Sequence, residues 1–120
     1  MVFIKRIEFM DDYASEACVT ISDGLFELIV FKHPFKFEKI EVDIHELTAL
    51  HSDKIYRANT YVYSIKKLDG FFEYELTGLV IDRQKDLVRV GEFVIELDGI
   101  IPGDILEGEF VSCRCGRIDC

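Results

Sequence analysis

The cysteines near the carboxyl end of the chain have the residue type and spacing that could bind a metal ion. Cys113 and Cys115 would project from the same face of a β-strand, and Cys120 could supply a third thiolate. Cys18 is the remaining candidate ligand. The Cys-x-x-Cys spacing of structural zinc sites is absent from the sequence. We therefore expect small core residues at Cys18 and Cys113, a free exposed thiol at Cys120, and no bound metal or other cofactor.

Pairs of histidines and glutamates are the other groups whose chemistry depends on spacing. His45 and His51 fall in one predicted helix, but their separation places them about 240° apart around its axis, so they cannot share a metal ion. Glu73 and Glu75 share a face of a predicted strand and would need a cleft for acid–base catalysis. The sequence has no glycine-rich phosphate loop, Gly-x-Ser-x-Gly motif or His-Glu-x-x-His motif. We therefore expect the chain not to be an enzyme.

Residues 32–39 form the only locally basic stretch, in which Phe35 and Phe37 are interleaved with lysines. Such aromatic rings can stack on the bases of single-stranded nucleic acid. The formal charge of −9 opposes that use, because the excess of acids is spread over both halves of the chain and repels phosphate. We expect a solvated loop whose two phenylalanines pack beneath the fold, and the acidic charge favours a basic protein partner.

Three Asp-Gly steps, at Asp23, Asp69 and Asp98, separate runs rich in β-branched and aromatic residues. Asp-Gly between such runs is a strong β-hairpin signal, because a type I′ turn needs positive φ at both central residues. A glycine at position 91 predicts a bulge or tight bend between two further strands. The sequence therefore predicts a series of antiparallel strands.

Alternation of apolar and polar residues predicts strands along most of the chain. The clearest case is residues 71–81, where Tyr74, Leu76 and Val80 face inward. Residues 25–32 are apolar on both faces, which is typical of a central strand covered from both sides. The predicted strands are residues 2–9, 14–22, 25–32, 55–66, 71–81, 87–90, 93–97 and 105–115.

Residues 43–51 are the one predicted helix. Asp43 suits the N-cap, Glu46 follows at the capping-box spacing, and apolar residues recur at every third position. Three strands followed by a short helix and further strands is the order of an OB-type barrel. The predicted fold is all-β: a single antiparallel β-barrel domain over residues 1–120, OB-like in strand order, with about eight strands and one short helix.

We expect no signal peptide at the amino-terminal residues, because Lys5 and Arg6 interrupt the apolar run, and no apolar segment of the sequence is long enough to span a membrane. We therefore expect a cytoplasmic protein with reduced cysteines and no membrane partner.

The function predicted from the sequence is a small, acidic, non-enzymatic binding or assembly module that acts through protein–protein contacts. One helix is too short to cover the outer face of residues 25–32, so Phe26, Leu28, Ile29 and Phe31 are candidate interface residues for a homodimer or another protein. One alternative is an OB-like barrel that binds a small ligand or single-stranded nucleic acid through Phe35 and Phe37. A second alternative is a cysteine-based metal or thiol protein.

Overall fold

The computed structural model describes residues 2–11, 16–33 and 47–120. These residues form eleven β-strands, and the described part of the chain contains no helix, which confirms the all-β class. The strands are β1 (Phe3–Asp11), β2 (Glu16–Ser22), β3 (Glu27–Lys32), β4 (Leu47–Leu50), β5 (Asp53–Arg57), β6 (Ser64–Lys67), β7 (Tyr74–Asp82), β8 (Leu87–Val90), β9 (Phe93–Leu97), β10 (Phe110–Cys115) and β11 (Arg117–Asp119).

All eleven strands belong to one mixed sheet that does not close. Its order is β1-β2-β3-β11-β4-β9-β8-β7-β10-β5, and β6 pairs with β7 beside this path. Most neighbours are antiparallel, but β4 lies parallel to β9 and β11 parallel to β3. The predicted closed antiparallel barrel with OB-like strand order is therefore wrong. Within the described ranges the two ends of the path, β1 and β5, do not pair with each other.

The predicted helix at residues 43–51 is wrong where the structure describes it. Residues 43–46, with Asp43, Glu46 and His45, lie outside the described residues. Leu47–Leu50 is a strand between β9 and β11, and its alternate residues Leu47 and Ala49 are fully buried. Two neighbouring strands satisfy the backbone of this segment on both sides, which outweighs its local helical pattern.

Two of the three Asp-Gly hairpin predictions are confirmed. Asp23 lies in the loop of the antiparallel β2–β3 pair, and Asp69 in the loop between antiparallel β6 and β7. The step at Asp98 does not form a hairpin, because β9 and β10 are not neighbours in the sheet. The tight bend predicted at Gly91 is confirmed, since Val90 pairs with Phe93 across a two-residue turn in which Gly91 has φ of +60°.

The inward face of β7 forms part of the core, as the alternation predicts. Tyr74, Leu76 and Val80 are buried, and Gly78 fills the inward position between the last two. One predicted strand is divided in the structure, since residues 55–66 separate into β5 and β6 around a loop. The predicted strand 105–115 begins only at Phe110, and β11, which follows Gly116, was not predicted.

Candidate functional site

Strand β5 is an exposed edge of the sheet, because among the described strands it pairs with β10 alone. Its side chains are exposed apart from the half-buried Ile55. Lys54 has φ of +50°, and the pairing with β10 shifts between Ser112 and Arg114, which marks a β-bulge. Beyond the bulge, the outer backbone of Tyr56 and its neighbours is free of a described strand. Such an edge can accept a further strand.

Aromatic side chains cover the sheet next to this edge. The rings of Tyr61 and Tyr63 pack on Phe110, with centroid distances of 5.8 Å and 5.5 Å. Tyr56 lies opposite Ser112, which is two residues from Phe110 and therefore on the same face of β10. Tyr61 is 81% exposed, Val62 67% and Tyr56 52%. We call Tyr56, Tyr61, Val62, Tyr63 and Phe110 the aromatic edge.

Arg57 fixes β5 against the loop that precedes β10. Its guanidinium donates to the Glu109 carboxylate at 2.8 Å and to the Asp104 carbonyl oxygen at 2.6 Å. The backbone N–H of Leu106 and then the Arg57 side chain lower the pKa of Glu109. The Ala58 N–H donates to the Phe110 carbonyl at 3.0 Å, which continues the pairing beyond β5. These contacts connect β5 to residues 104–110, and the two segments together form the frame that carries the aromatic edge.

The frame around the aromatic edge is acidic. Residues 53–57 and 104–110 carry four carboxylates, Asp53, Asp104, Glu107 and Glu109, against two cations, Lys54 and Arg57. Arg57 is engaged by two of these acids, at 2.8 Å from Glu109 and 3.6 Å from Asp104. The local charge has the same sign as the whole chain, whose formal charge is −9.

The structure gives intramolecular neighbours to the predicted interface residues, which lie on β3 and, for Phe26, directly before it. Leu28 is fully buried in the core, and Phe26 packs partly buried against it. The Phe31 ring lies 4.3 Å beneath the Arg117 guanidinium and edge-on to Phe72. The N–H of Ile29 donates to the Tyr74 hydroxyl at 2.9 Å. A contact of these residues with a partner stays a prediction.

All four cysteines are free thiols. Cys18 and Cys113 are buried, as the sequence predicts, and Cys115 is buried beside Cys113 on the inward face of β10. Cys120 is not exposed as predicted but half-buried against the core, because its N–H donates to the Phe31 carbonyl oxygen at 3.1 Å. Burial raises the pKa of Cys113 and of Cys115 to about 12.

We expect the thiols of Cys113 and Cys115 to be inert in the folded protein. A thiol with a raised pKa holds little of the thiolate that reacts with disulfide reagents, and burial blocks access. Ellman's reagent at neutral pH should modify Cys120 first. All four thiols should be modified only after the protein is unfolded in guanidinium. The Cys120→Ser variant should lose the first phase. Fast modification of Cys113 in the native protein would contradict this prediction.

The remaining residues singled out by the sequence do not form a second site. Glu75 makes an ion pair with Arg114 at 3.5 Å on a sheet surface. His51 lies at a turn with φ of +57°, and its N–H donates to the Asp98 carboxylate at 2.7 Å. Phe35 and Phe37 lie outside the described residues.

Within residues 2–11, 16–33 and 47–120, no group of three or more His, Cys, Asp and Glu side chains could hold a metal ion. The same residues include no helix long and apolar enough to cross a membrane.

Comparison of the chain with protein-family models, curated proteins and solved structures finds no match. The aromatic edge is thus identified by geometry alone. The sequence analysis missed the exposed side chains of Tyr56 and Val62 and the edge of β5. The polar pair Asn59 and Thr60 within the predicted strand 55–66 was the signal that this strand ends and a surface loop follows.

Proposed function

We propose that the chain is a small, acidic, non-enzymatic binding module that pairs the free edge of β5 with an extended, basic segment of a partner protein. The observation that carries the proposal is that the edge of β5 left unpaired by the described strands lies next to the exposed side chains Tyr56, Tyr61 and Val62. Adjacent exposed apolar side chains mark interaction surfaces. Tyrosine is enriched at protein interfaces because its ring is large and its hydroxyl tolerates water.

Strand addition divides recognition between backbone and side chains. The outer N–H and C=O groups of β5 supply hydrogen bonds that are independent of the partner's sequence, and the aromatic edge supplies apolar contacts. The bulge at Lys54 limits indiscriminate pairing along the edge, as bulges do in natural sheets. The acidic residues of the frame favour lysine and arginine in the partner.

A cytoplasmic location is part of this proposal. Four free thiols, two of them buried together on β10, are the state expected in a reducing compartment. The net charge of −9 supports a protein partner over nucleic acid, because it repels a phosphate backbone.

The proposal is tested by NMR titration of the ¹⁵N-labelled chain with a short peptide of alternating lysine and valine. We expect saturable shifts of the β5 amides, and affinity that falls about fivefold in Tyr61→Ser, because an aromatic contact contributes about 1 kcal/mol. Leu25→Ser is the matched control, since Leu25 is 90% exposed in the β2–β3 loop, away from β5. Its affinity should equal that of the wild type.

Two outcomes would contradict the proposal. One is equal binding of a peptide in which glutamate replaces lysine, since the acidic frame would then have no role. The other is a set of shifts confined to β1, the opposite end of the strand order, with β5 unaffected.

A further inference from the structure

A cleft of about 450 Å³ separates the β1–β2–β3 part of the sheet from the β6–β7 hairpin. This volume lies within the range of roughly 300–1,000 Å³ that is typical of small-molecule pockets. The cleft is unrelated to the aromatic edge and contains none of its five residues. Its lining residues are Lys5, Arg6, Thr20, Glu27, Ile29, Ile65, Lys67 and Tyr74.

Strand register places the cleft residues in two facing rows. Arg6 pairs with Thr20 and Thr20 with Ile29, so these three side chains lie side by side across β1, β2 and β3. Lys67 pairs with Tyr74 in the opposite row. The Tyr74 hydroxyl, which accepts the Ile29 N–H at 2.9 Å, joins the rows.

No described strand lies beside β3 at the position of this hydrogen bond. Strand β11 pairs with β3 only at Phe31, so the Ile29 N–H has no partner among the described strands on that side. The Tyr74 hydroxyl takes the place of a carbonyl oxygen and fixes the floor of the cleft. The two rows therefore form a preorganised site that does not have to be ordered when a ligand binds.

The cleft concentrates positive charge on an acidic protein. Three cations line it, Lys5, Arg6 and Lys67, against the single carboxylate of Glu27. Lys5 pairs with Glu27 at 3.1 Å. Arg6 has only a longer contact of 3.5 Å with Glu8, so most of its N–H donors have no acceptor among the described residues. Two cations are thus available to a ligand.

Lys67 is held in place by its own hairpin. Its ammonium donates to the carbonyl oxygens of Leu68 and Gly70, and lies 5.5 Å from the centroid of the Tyr74 ring. An ammonium has three N–H donors, so one remains for a ligand. A positioned cation loses less side-chain entropy on binding than a free lysine does.

Two hydroxyl groups add neutral donors. Tyr74 accepts a hydrogen bond from Ile29, but no described residue accepts its own proton. Burial raises the Tyr74 pKa, so the hydroxyl keeps that proton at neutral pH. The Thr20 hydroxyl also lines the cleft. Ile29 and Ile65 supply the apolar part of the wall.

We propose that this cleft binds a small organic anion, a phosphate or carboxylate group carried on a compact apolar body. Lys67, Arg6 and the Tyr74 hydroxyl receive the anionic group, as charge-assisted donors do. The apolar body lies against Ile29 and Ile65. Small size is required, because the formal charge of −9 repels an extended polyanion while the local cations attract a single anionic group.

The test is an NMR titration of the ¹⁵N-labelled chain with phenyl phosphate, whose ring and charge match the two parts of the cleft. We expect saturable shifts at Ile29 and along β6. Lys67→Gln should weaken binding about tenfold, the loss expected for one charge-assisted hydrogen bond. Lys66→Gln is the matched control: it removes the same charge from the neighbouring residue, which pairs with Glu75 on the opposite face. Its affinity should stay within about twofold of wild type.

Two further ligands separate charge from shape. Inorganic phosphate should bind at least tenfold more weakly than phenyl phosphate because it lacks the apolar body, and benzyl alcohol should bind more weakly because it lacks the charge. Equal affinity for inorganic and phenyl phosphate would overturn the proposal. So would equal losses in Lys66→Gln and Lys67→Gln, or the absence of saturable shifts at Ile29 with phenyl phosphate at millimolar concentration.

Discussion

Gly78→Ala should destabilise the protein by about 3 kcal/mol, near the upper end of what overpacking a core costs. A Cβ atom at this position would lie 2.4 Å from the Arg89 carbonyl oxygen and 2.7 Å from methyl groups of Val88 and Val90. The carbonyl belongs to β8, which is paired to β7 on one side and β9 on the other. It cannot move away without breaking these ladders, so the strain stays in the folded state.

Thermal unfolding followed by circular dichroism measures the effect, with a fall in Tm of about 10 °C for a domain of this size. Gly103→Ala is the matched control. Its Cβ would meet only the Arg83 side chain at 3.7 Å, and its φ is not positive, so we expect a change in Tm near zero. Comparable losses in both variants would contradict the prediction, because the β7–β8 contact exists only at Gly78 and the effect of alanine on the unfolded chain is stabilising at both positions.

Gly78 also shows what a strand pattern can and cannot predict. The alternation Tyr74, Leu76, Val80 identifies β7 and its inward face, because those properties depend on neighbouring residues in the sequence. The glycine within that pattern is a sign of close backbone approach. Which strand approaches depends on the sheet order, which the pattern of one strand does not contain.

Long-range pairing explains the larger errors. Leu47–Leu50 lies between β9 and β11, which come from residues far later in the chain, so its local pattern had no information about them. Its four residues are too few to separate a period of two from a period near three and a half. The two parallel pairings, β4 with β9 and β11 with β3, also join segments that are distant in the sequence. They are part of the reason why the predicted antiparallel barrel is wrong.

The aromatic edge and the cleft were harder to predict from the sequence than the strands were. The cleft brings together Arg6, Thr20, Ile29 and Lys67 from four strands, and no motif links residues so far apart. Asp98 illustrates the same limit. Its Asp-Gly step resembles a hairpin turn, yet its carboxylate accepts the N–H groups of His51 and Ser52 at 2.7 Å and 2.8 Å and closes the β4–β5 turn from a distant loop.

Asp23→Ala should destabilise the protein by about 2 kcal/mol, since three backbone N–H donors lose a charged acceptor. One carboxylate oxygen of Asp23 accepts the N–H groups of Leu25 and Phe26 at 2.9 Å and 2.7 Å. The other accepts the Glu92 N–H at 2.9 Å, which joins the β2–β3 loop to the β8–β9 turn. Urea unfolding at neutral pH measures the loss. Asp69→Ala is the matched control, because Asp69 occupies the other hairpin Asp-Gly step and is exposed.

The Asp23→Asn variant separates the two roles of the carboxylate. The amide oxygen can still accept the Leu25 and Phe26 N–H groups, but its NH₂ group would face the Glu92 N–H donor. We expect Asp23→Asn to lower the free energy of unfolding, but by less than Asp23→Ala does. If Asn and Ala had equal effects, the bond to Glu92 would account for the whole contribution. If Asn had no effect, that bond would contribute nothing.

Acid should remove the advantage of the wild type over Asp23→Ala. Burial opposes ionisation of Asp23, but the hydrogen bonds from Phe26, Glu92 and Leu25 outweigh it and lower the pKa from its ordinary value of 3.8. A carboxyl whose pKa is lower in the folded than in the unfolded state stabilises the fold fully above the unfolded value. That contribution is lost as the pH falls through the folded pKa. The difference in unfolding free energy between wild type and variant should therefore be constant from pH 5 to 7 and decrease below 3.8. A difference that stayed constant to pH 2 would assign the effect of Asp23→Ala to loop packing rather than to its charge.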